Sequence, residues 1–427
     1  MNTTCFYTSV SGIISAPPSK SSMQRAVACA MLADGISVIR NPAFCDDAKA
    51  AIGIASALGA DVNVSSDSVQ ITGSQLFKNG TIIRAHAGPL EASCGESGLA
   101  MRMFAPIAAV LSRPVHLVAR GSLMKRSMTM VQEALIAMGV SCESAGGLPP
   151  LTIKGPLIPA SYHIDSGASS QFLTGLLMAL PLLAGDSVLR VSNPVSTGYL
   201  DLTAATMGLF SVKANLVDNY SQIEIPGGQR YVPTVMTVEG DWSGAAFLLA
   251  AAALGAKDQS LRVEQLQPDS SQPDRAILTV LEAVGADVEA EPNAVSVRMN
   301  DLRSFDFDAT DCPDLFPPLA VLAAACHGTS RIHGTQRLTG KESNRSLTIQ
   351  DTLGALGARI RLEDNDMIIE GGRLHGGVVD AHQDHRIAMM AAVASVVAGE
   401  QVIIMGSECV TKSWPGFFTD FASISDI

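Results

Sequence analysis

In the stretch PPSKSSMQR, Lys20, Ser21 and Arg25 stand where the chain leaves two prolines and enters a run of small apolar residues. Proline and serine at such an entry mark a helix start. A helix start presents unpaired N–H groups and the positive end of the dipole, so cations added there make an anion site. Similar openings recur downstream: Gly98 and Arg102 in GESGLAMR, Ser169, Ser170 and Gln171 in SGASSQFL, Asp314 in CPDLF, and His385 with Arg386 in QDHRIAM. Three more stretches add Lys125 and Arg126 (LMKRSM), Lys341, Glu342 and Arg345 (GKESNR) and Lys412 (TKSWPGF).

Taken singly, each residue has a plain structural reading. A serine at a helix start is ordinarily an N-cap, Arg25 or Arg102 a salt-bridged side chain, His385 a satisfied polar group, and Gly98 a packing glycine. Recurrence at one topological place turns them into a ligand hypothesis. One cation about 4 Å from an anion contributes roughly 4 kcal/mol at an effective dielectric of about 20. Desolvating a phosphate costs more than one such pair returns, so several cations must converge. The eight candidates, Lys20, Arg25, Arg102, Arg126, Lys341, Arg345, Arg386 and Lys412, suffice for two anionic substrates.

Repeats position these residues. A small polar turn followed by a helix of small apolar residues returns six times, with Ser21, Ser97, Ser170, Ser243, Pro313 and Asp384 as markers 76, 73, 73, 70 and 71 residues apart. Between the copies lies a second element, an amphipathic helix ending in Gly and then a hairpin, as in SALGADVNVSSDSVQITG and ALGARIRLEDNDMIIEGG. The sixth copy runs out after FFTDFASISDI, and the chain opens on an orphan strand, CFYTSVSGII, expected to complete it. Six βα units suggest two domains of three: residues 18–235, and residues 1–17 with 236–427. Two connections would then form a hinge beside an interdomain cleft, the natural ligand site. Five of the six helix openings carry binding or reactive groups; the fourth, with Trp242 and Ser243, looks bland.

The composition excludes several classes. With 427 residues, 47% hydrophobic and 16% charged, the chain is folded rather than disordered. A net charge of −12 argues against nucleic acid as the main partner. The eight cysteines form no C-x-x-C pair, which fits a reduced, cytoplasmic chain, and no metal-ligand constellation is read. No apolar run reaches membrane-spanning length, and MNTTCFYTSVSG lacks the regions of a signal peptide.

The motifs PPSKSSMQR, GESGLAMR, KRSM, SGASSQFL, CPDLFPPLA, GKESNR, QDHRIAM and TKSWPGF, in this order, resemble the 5-enolpyruvylshikimate-3-phosphate synthase family over essentially the whole chain. The resemblance implies an α/β, two-domain enolpyruvyl-transferase-like fold, six βαβαββ repeats around buried helices. It implies transfer of the enolpyruvyl group of phosphoenolpyruvate to shikimate 3-phosphate, on the route to aromatic amino acids, without metal or redox cofactor, by a monomer. By resemblance, shikimate 3-phosphate would meet Lys20, Ser21, Arg25, Ser169, Ser170, Gln171, Ser196, Asp314 and Lys341. Phosphoenolpyruvate would meet Lys20, Gly98, Arg126, Gln171, Arg345, Arg386 and Lys412. Asp314 is the candidate general base, Lys20 and Glu342 the candidates for proton movement at C3 and at the leaving phosphate, and His385 an assistant.

The chain departs from the family's pattern at Pro18, Glu96, Leu99, Met103, Ser127, Arg337 and Asn344. Glu96 is a carboxylate beside an anion pocket and should repel phosphoenolpyruvate unless paired. Leu99 and Met103 are expected to shrink the room for glyphosate, whose target the resemblance implies. Two alternatives remain: the sister transferase acting on UDP-N-acetylglucosamine, and a non-catalytic phosphometabolite-binding homologue. The first would carry a reactive loop cysteine that KRSM lacks; the second would be expected to lose Lys20, Asp314 or Glu342 early.

Overall fold

The computed structural model describes residues 1–80 and 88–426, the side chains of 78–80 excepted. The chain divides into two compact units, Lys20–Val238 and Met1–Ser19 with Glu239–Ile427. Each unit has its own apolar core.

Six helices form the centres of those cores: α1 (Lys20–Leu32), α2 (Gly98–Ala109), α3 (Gln171–Ala179), α4 (Trp242–Leu254), α5 (Phe316–Ala325) and α6 (His385–Ala398). Every residue of α2, α4 and α5 is buried, Ala325 excepted, so these helices have no solvent face. This explains their composition. A helix packed on all sides needs apolar residues all round, and a run of alanines lets neighbours approach closely.

The second repeat shows the complete unit. Leu90–Ser93 leads into α2, which returns to Val115–Val118; the helix Thr129–Ala137 and the hairpin of Ser141–Ala145 and Leu148–Lys154 follow. The first two strands pair in parallel and the others add antiparallel, giving a βαβαββ sheet. Among the described residues, five four-stranded sheets have this order.

Two repeats borrow their first strand from elsewhere in the chain. Gly12–Ser15 pairs in parallel with Ser260–Glu264 and heads the fourth repeat. Val235–Thr237 pairs in parallel with Ile36–Arg40 and heads the first. The N-terminal stretch read from sequence as one strand is thus three. Asn2–Cys5 pairs antiparallel with Val402–Met405 and completes the sixth sheet, while Ser9–Val10 pairs with Ser425–Asp426. Gly12, at φ +96°, breaks the run and redirects it. Among the described residues no helix is long and apolar enough to cross a membrane.

Candidate active site

In the unit Lys20–Val238, the polar residues gather at the N-terminal ends of α1, α2 and α3. Lys20 opens α1, and its Nζ lies 3.1 Å from Asp47 Oδ2, in the first turn of the helix Asp46–Ala57. Arg25, one turn on, is only 1% exposed. Its Nε donates to Thr203 Oγ1 (2.9 Å), and its Nη atoms donate to the carbonyls of Ser21 (3.0 Å) and Tyr199 (3.3 Å). The guanidinium carbon lies 5.6 Å from the centroid of the Tyr199 ring. None of these acceptors is a carboxylate. Burial lowers Arg25 to about 10, which still leaves it charged at neutral pH. A buried cation held only by neutral acceptors favours a nearby anion.

α2 supplies a second cationic place. Ser97 caps it, its Oγ accepting from Ala100 N at 3.2 Å and donating to the buried Gln24 Oε1 at 2.9 Å. A Cβ on Gly98 would stand 2.7 Å from Arg126 Nη1 and 2.8 Å from Arg102 Nη1, so the two guanidinium groups lie against its bare α-carbon. Arg102 in turn donates to Gln171 Oε1 (3.0 Å) at the start of α3 and to Ser127 O (3.1 Å).

Glu96, expected from the sequence to repel phosphoenolpyruvate unless paired, has hydrogen-bond partners. Its Oε2 accepts from both the N–H (2.9 Å) and the Oγ (2.7 Å) of Ser122. This ties down the turn Gly121–Lys125, which delivers Arg126. Gly121, at φ +54°, lies against that carboxylate, where a side chain would collide with it.

At α3, Ser169 Oγ accepts from Gln171 N (3.2 Å) and Ser170 Oγ donates to Ser196 O (3.3 Å). Ser196 is buried with φ +52°, a conformation unusual for serine and held by that contact. Leu99 and Met103 both point into the core.

The other unit builds a mixed cluster of acids and cations. Asp314 sits in the turn Pro313–Leu315 ahead of α5. Its Oδ1 receives Arg345 Nη1 (2.7 Å), with Lys341 Nζ at 3.6 Å, and its Oδ2 receives Arg386 Nη2 (2.9 Å). Burial alone would raise Asp314, but the charges of Arg386, Lys341 and Arg345 outweigh it and hold the carboxyl well below the usual range. Arg345 also donates to Glu342 Oε2 (2.6 Å) and to both oxygens of Asp384. Burial works against its charge, yet Asp384, Glu342 and Asp314 together hold it above the ordinary arginine value. Lys341, with 22% of its side chain open, is lowered to about 8 by burial, against the pull of Asp314. Lys412 Nζ approaches Glu342 Oε1 at 3.9 Å. His385 is buried, with Nδ1 3.7 Å from Asp384 Oδ1.

Asp384 is the principal group that the sequence reading used only as a repeat marker. It caps α6, accepting from Arg386 N at 3.0 Å, and it receives Arg345 and Ser343 Oγ (3.0 Å) as well. Its place just before His385 and Arg386, at an N-cap, was the available signal. The fourth repeat is also less bland than its sequence suggests. Gln272 Oε1 accepts from Trp242 N (3.1 Å) and Ser19 Oγ (3.2 Å), and Ser243 Oγ donates to the buried Asp274. The opening of α4 is therefore filled by the protein's own side chains. Among the described residues no group of three or more His, Cys, Asp or Glu is arranged to hold a metal ion.

The pattern of the EPSP synthase family, described as EPSP synthase (3-phosphoshikimate 1-carboxyvinyltransferase), matches residues 7–421. The 3-phosphoshikimate 1-carboxyvinyltransferase of Clostridium kluyveri is 35% identical over 419 residues, covering 98% of this chain and 96% of that protein. The protein of the same name from Clostridium perfringens is 37% identical over 421 residues, covering 97% and 96%. In three dimensions the chain is similar to EPSP synthase from Acinetobacter baumannii, with a TM-score of 0.82 at 23% identity, over 99% of this chain and 98% of that one. It is also similar to the enolpyruvyl transferase NikO from Streptomyces tendae, with a TM-score of 0.76 at 18% identity, over 100% and 98%. These two likenesses concern the fold. On the extent and identity of the sequence matches, the chain belongs to the EPSP synthase (3-phosphoshikimate 1-carboxyvinyltransferase) family.

Proposed function

We infer that the chain transfers the enolpyruvyl group of phosphoenolpyruvate to the 5-hydroxyl of shikimate 3-phosphate and releases phosphate, a step of the shikimate pathway to aromatic amino acids. Family membership supports this reading. Within the structure, the observation that carries it is Asp314, one ionised carboxylate among Lys341, Arg345 and Arg386. A set of cations around a proton acceptor is what addition of a hydroxyl to an anionic enol ester requires.

In this reading Lys20, Ser21, Arg25, Ser169, Ser170, Gln171, Ser196, Asp314 and Lys341 serve shikimate 3-phosphate. Arg25 suits a phosphate, since its present partners are all neutral. Lys20, Gly98, Arg126, Gln171, Arg345, Arg386 and Lys412 serve phosphoenolpyruvate. Gly98 leaves the two guanidinium groups of its unit unobstructed.

The 5-hydroxyl oxygen forms a bond to C2 of phosphoenolpyruvate, giving its proton to Asp314, while C3 gains a proton. The tetrahedral intermediate then loses phosphate from C2 and a proton from C3, leaving the enolpyruvyl ether. Asp314 is a weak base while three cations hold it. Anionic substrates that draw Arg345 and Arg386 away would raise it toward a useful range. Lys20 and Glu342 are the candidates for the proton at C3 and at the departing phosphate, and His385 assists. Lys412, beside Glu342, would meet developing charge. We place the protein in the cytoplasm as a monomer, with residues 18–235 serving mainly shikimate 3-phosphate.

The test is phosphate release from phosphoenolpyruvate with and without shikimate 3-phosphate, in the wild type and in Asp314→Ala. Release that depends on both substrates and falls at least about a hundredfold in the variant supports the reaction and the base. Release that survives in the variant moves the base to Glu342. Binding of both ligands without release would make the chain a phosphometabolite-binding homologue.

A further inference from the structure

Asp274 takes no part in the reaction as described, yet its position ties it to the cations that do. It lies in the turn Pro273–Ala276, is 1% exposed, and receives Ser243 Oγ on Oδ2, while its Oδ1 meets no donor among the described residues. An ionised carboxylate seeks donors for both oxygens, so a buried one with a single hydroxyl partner suits the neutral acid. Three buried-helix openings surround it. From the start of α4 come Ser243 and the charge of Asp241. From the start of α5 come Asp314 and the thiol of Cys312, and from α6 comes Arg386. Arg386 is the one cation of that set. Its Nη2 holds Asp314, and its Nη1 reaches the carbonyls of Ser243 and Asp314 at 3.5 Å.

We propose that Asp274 governs the affinity of the Arg345–Arg386 cluster for phosphoenolpyruvate by the presence or absence of its proton. This rests on the reading that the cluster takes phosphoenolpyruvate. With the proton on, Asp274 leaves the charge of Arg386 to the incoming anion. With the proton off, a second carboxylate joins Asp314 in acting on that guanidinium, and the anion is opposed. Binding and proton loss therefore oppose each other, and by linkage phosphoenolpyruvate binding draws a proton in.

The expected pH window follows from the surroundings. Burial raises Asp274, the charge of Asp314 raises it further, and Arg386 and the Ser243 hydroxyl only partly offset them, leaving it at about 7. The affinity for phosphoenolpyruvate is therefore full below about pH 6.5 and declines above it. Ser243 is a lever on the same group: its hydroxyl lowers Asp274, so removing it moves the decline to higher pH.

The experiment measures KM for phosphoenolpyruvate at saturating shikimate 3-phosphate from pH 6 to pH 9, in wild type, Asp274→Asn and Ser243→Ala. Titration of the substrate's own phosphate is common to all three and cancels in the comparison. The wild-type KM should rise about tenfold more than that of Asp274→Asn between pH 6.5 and pH 8.5. The kcat of Asp274→Asn should stay within about threefold of wild type at pH 6.5, a split a merely structural residue would not give. In Ser243→Ala the rise should start at higher pH. A wild-type profile retained in Asp274→Asn overturns the proposal. If that variant does not fold, an unmoved profile in Ser243→Ala overturns it instead. Absence of enolpyruvyl transfer in the wild type at every pH would sink the underlying functional reading, a result distinct from either.

Discussion

Arg345 and Asp384 form a two-pronged ion pair closed off from solvent, with Nε 2.7 Å from Oδ2 and Nη2 3.1 Å from Oδ1. The same carboxylate caps α6 through Arg386 N. One side chain therefore fixes the direction of Arg345 and the start of the helix that carries Arg386. Removing one partner of a buried pair costs about 3–5 kcal/mol, because the other charge is left uncompensated. In Asp384→Asn, Arg345 keeps Asp314 and Glu342 but loses its strongest orientation. We expect a loss of about 3 kcal/mol in a denaturant titration and a fall of roughly a hundredfold in kcat/KM for phosphoenolpyruvate. Unchanged values for both would mean that Asp314 and Glu342 alone position Arg345.

Glu96 yields the second prediction. It accepts two hydrogen bonds from Ser122 and so holds the turn that ends at Arg126. Glu96→Ala leaves the Ser122 N–H without its acceptor and frees the turn. The KM for phosphoenolpyruvate should rise about tenfold, with kcat within about threefold of wild type, since loss of a charge-assisted hydrogen bond costs on the order of 1.5–3 kcal/mol. If the charge were merely repulsive, as its place in the sequence suggests, the same variant would lower KM.

Glu96 also shows where sequence reading stops. Its position beside Gly98 was legible, but its partner lies 26 residues later in a turn that no periodicity marks. The same holds for Lys20 with Asp47, 27 residues on, and for Ser243 with Asp274, 31 residues on. The six buried helices and their hairpins could be read because each repeats the same demand, apolar on all sides and then alternating. The borrowed first strands, Gly12–Ser15 and Val235–Thr237, could not be placed by repetition alone, since each joins a sheet whose other strands lie far from it in sequence. Within the site, the residues proposed to meet substrates carry motif signals. Asp384 and Glu96 lie within motifs too, but the partners that give them their holding roles lie 39 and 26 residues away.

The third prediction concerns Lys341. Burial brings it to about 8, so its charge fades as pH rises through that value. If this cation serves shikimate 3-phosphate, kcat/KM for that substrate should fall about fivefold between pH 8 and pH 9, since this parameter reports the free enzyme. Lys341→Arg keeps its charge across the range and should give a flat profile there, at some cost in absolute rate because the fork cannot reproduce the ammonium's geometry. A decline of equal size in the arginine variant would show that another group sets the alkaline limit.

Asp314 gives the fourth, in stability rather than rate. Despite burial, Arg386, Lys341 and Arg345 hold its folded-state value well below the unfolded value of about 3.9. A carboxyl depressed on folding stabilises the protein fully above its unfolded value. That stabilisation is lost as pH falls through the folded value. Asp314→Asn has nothing to titrate there, and it leaves three cations facing an amide at every pH. The stability gap between wild type and variant should therefore be widest above about pH 5 and should narrow steadily below pH 4 as Asp314 takes up its proton. Thermal unfolding at half-unit steps from pH 6 to pH 2.5 measures it. A gap that stays constant through the acid range would mean that the carboxylate's charge contributes little to holding the three cations together, and that its place in the cluster is steric.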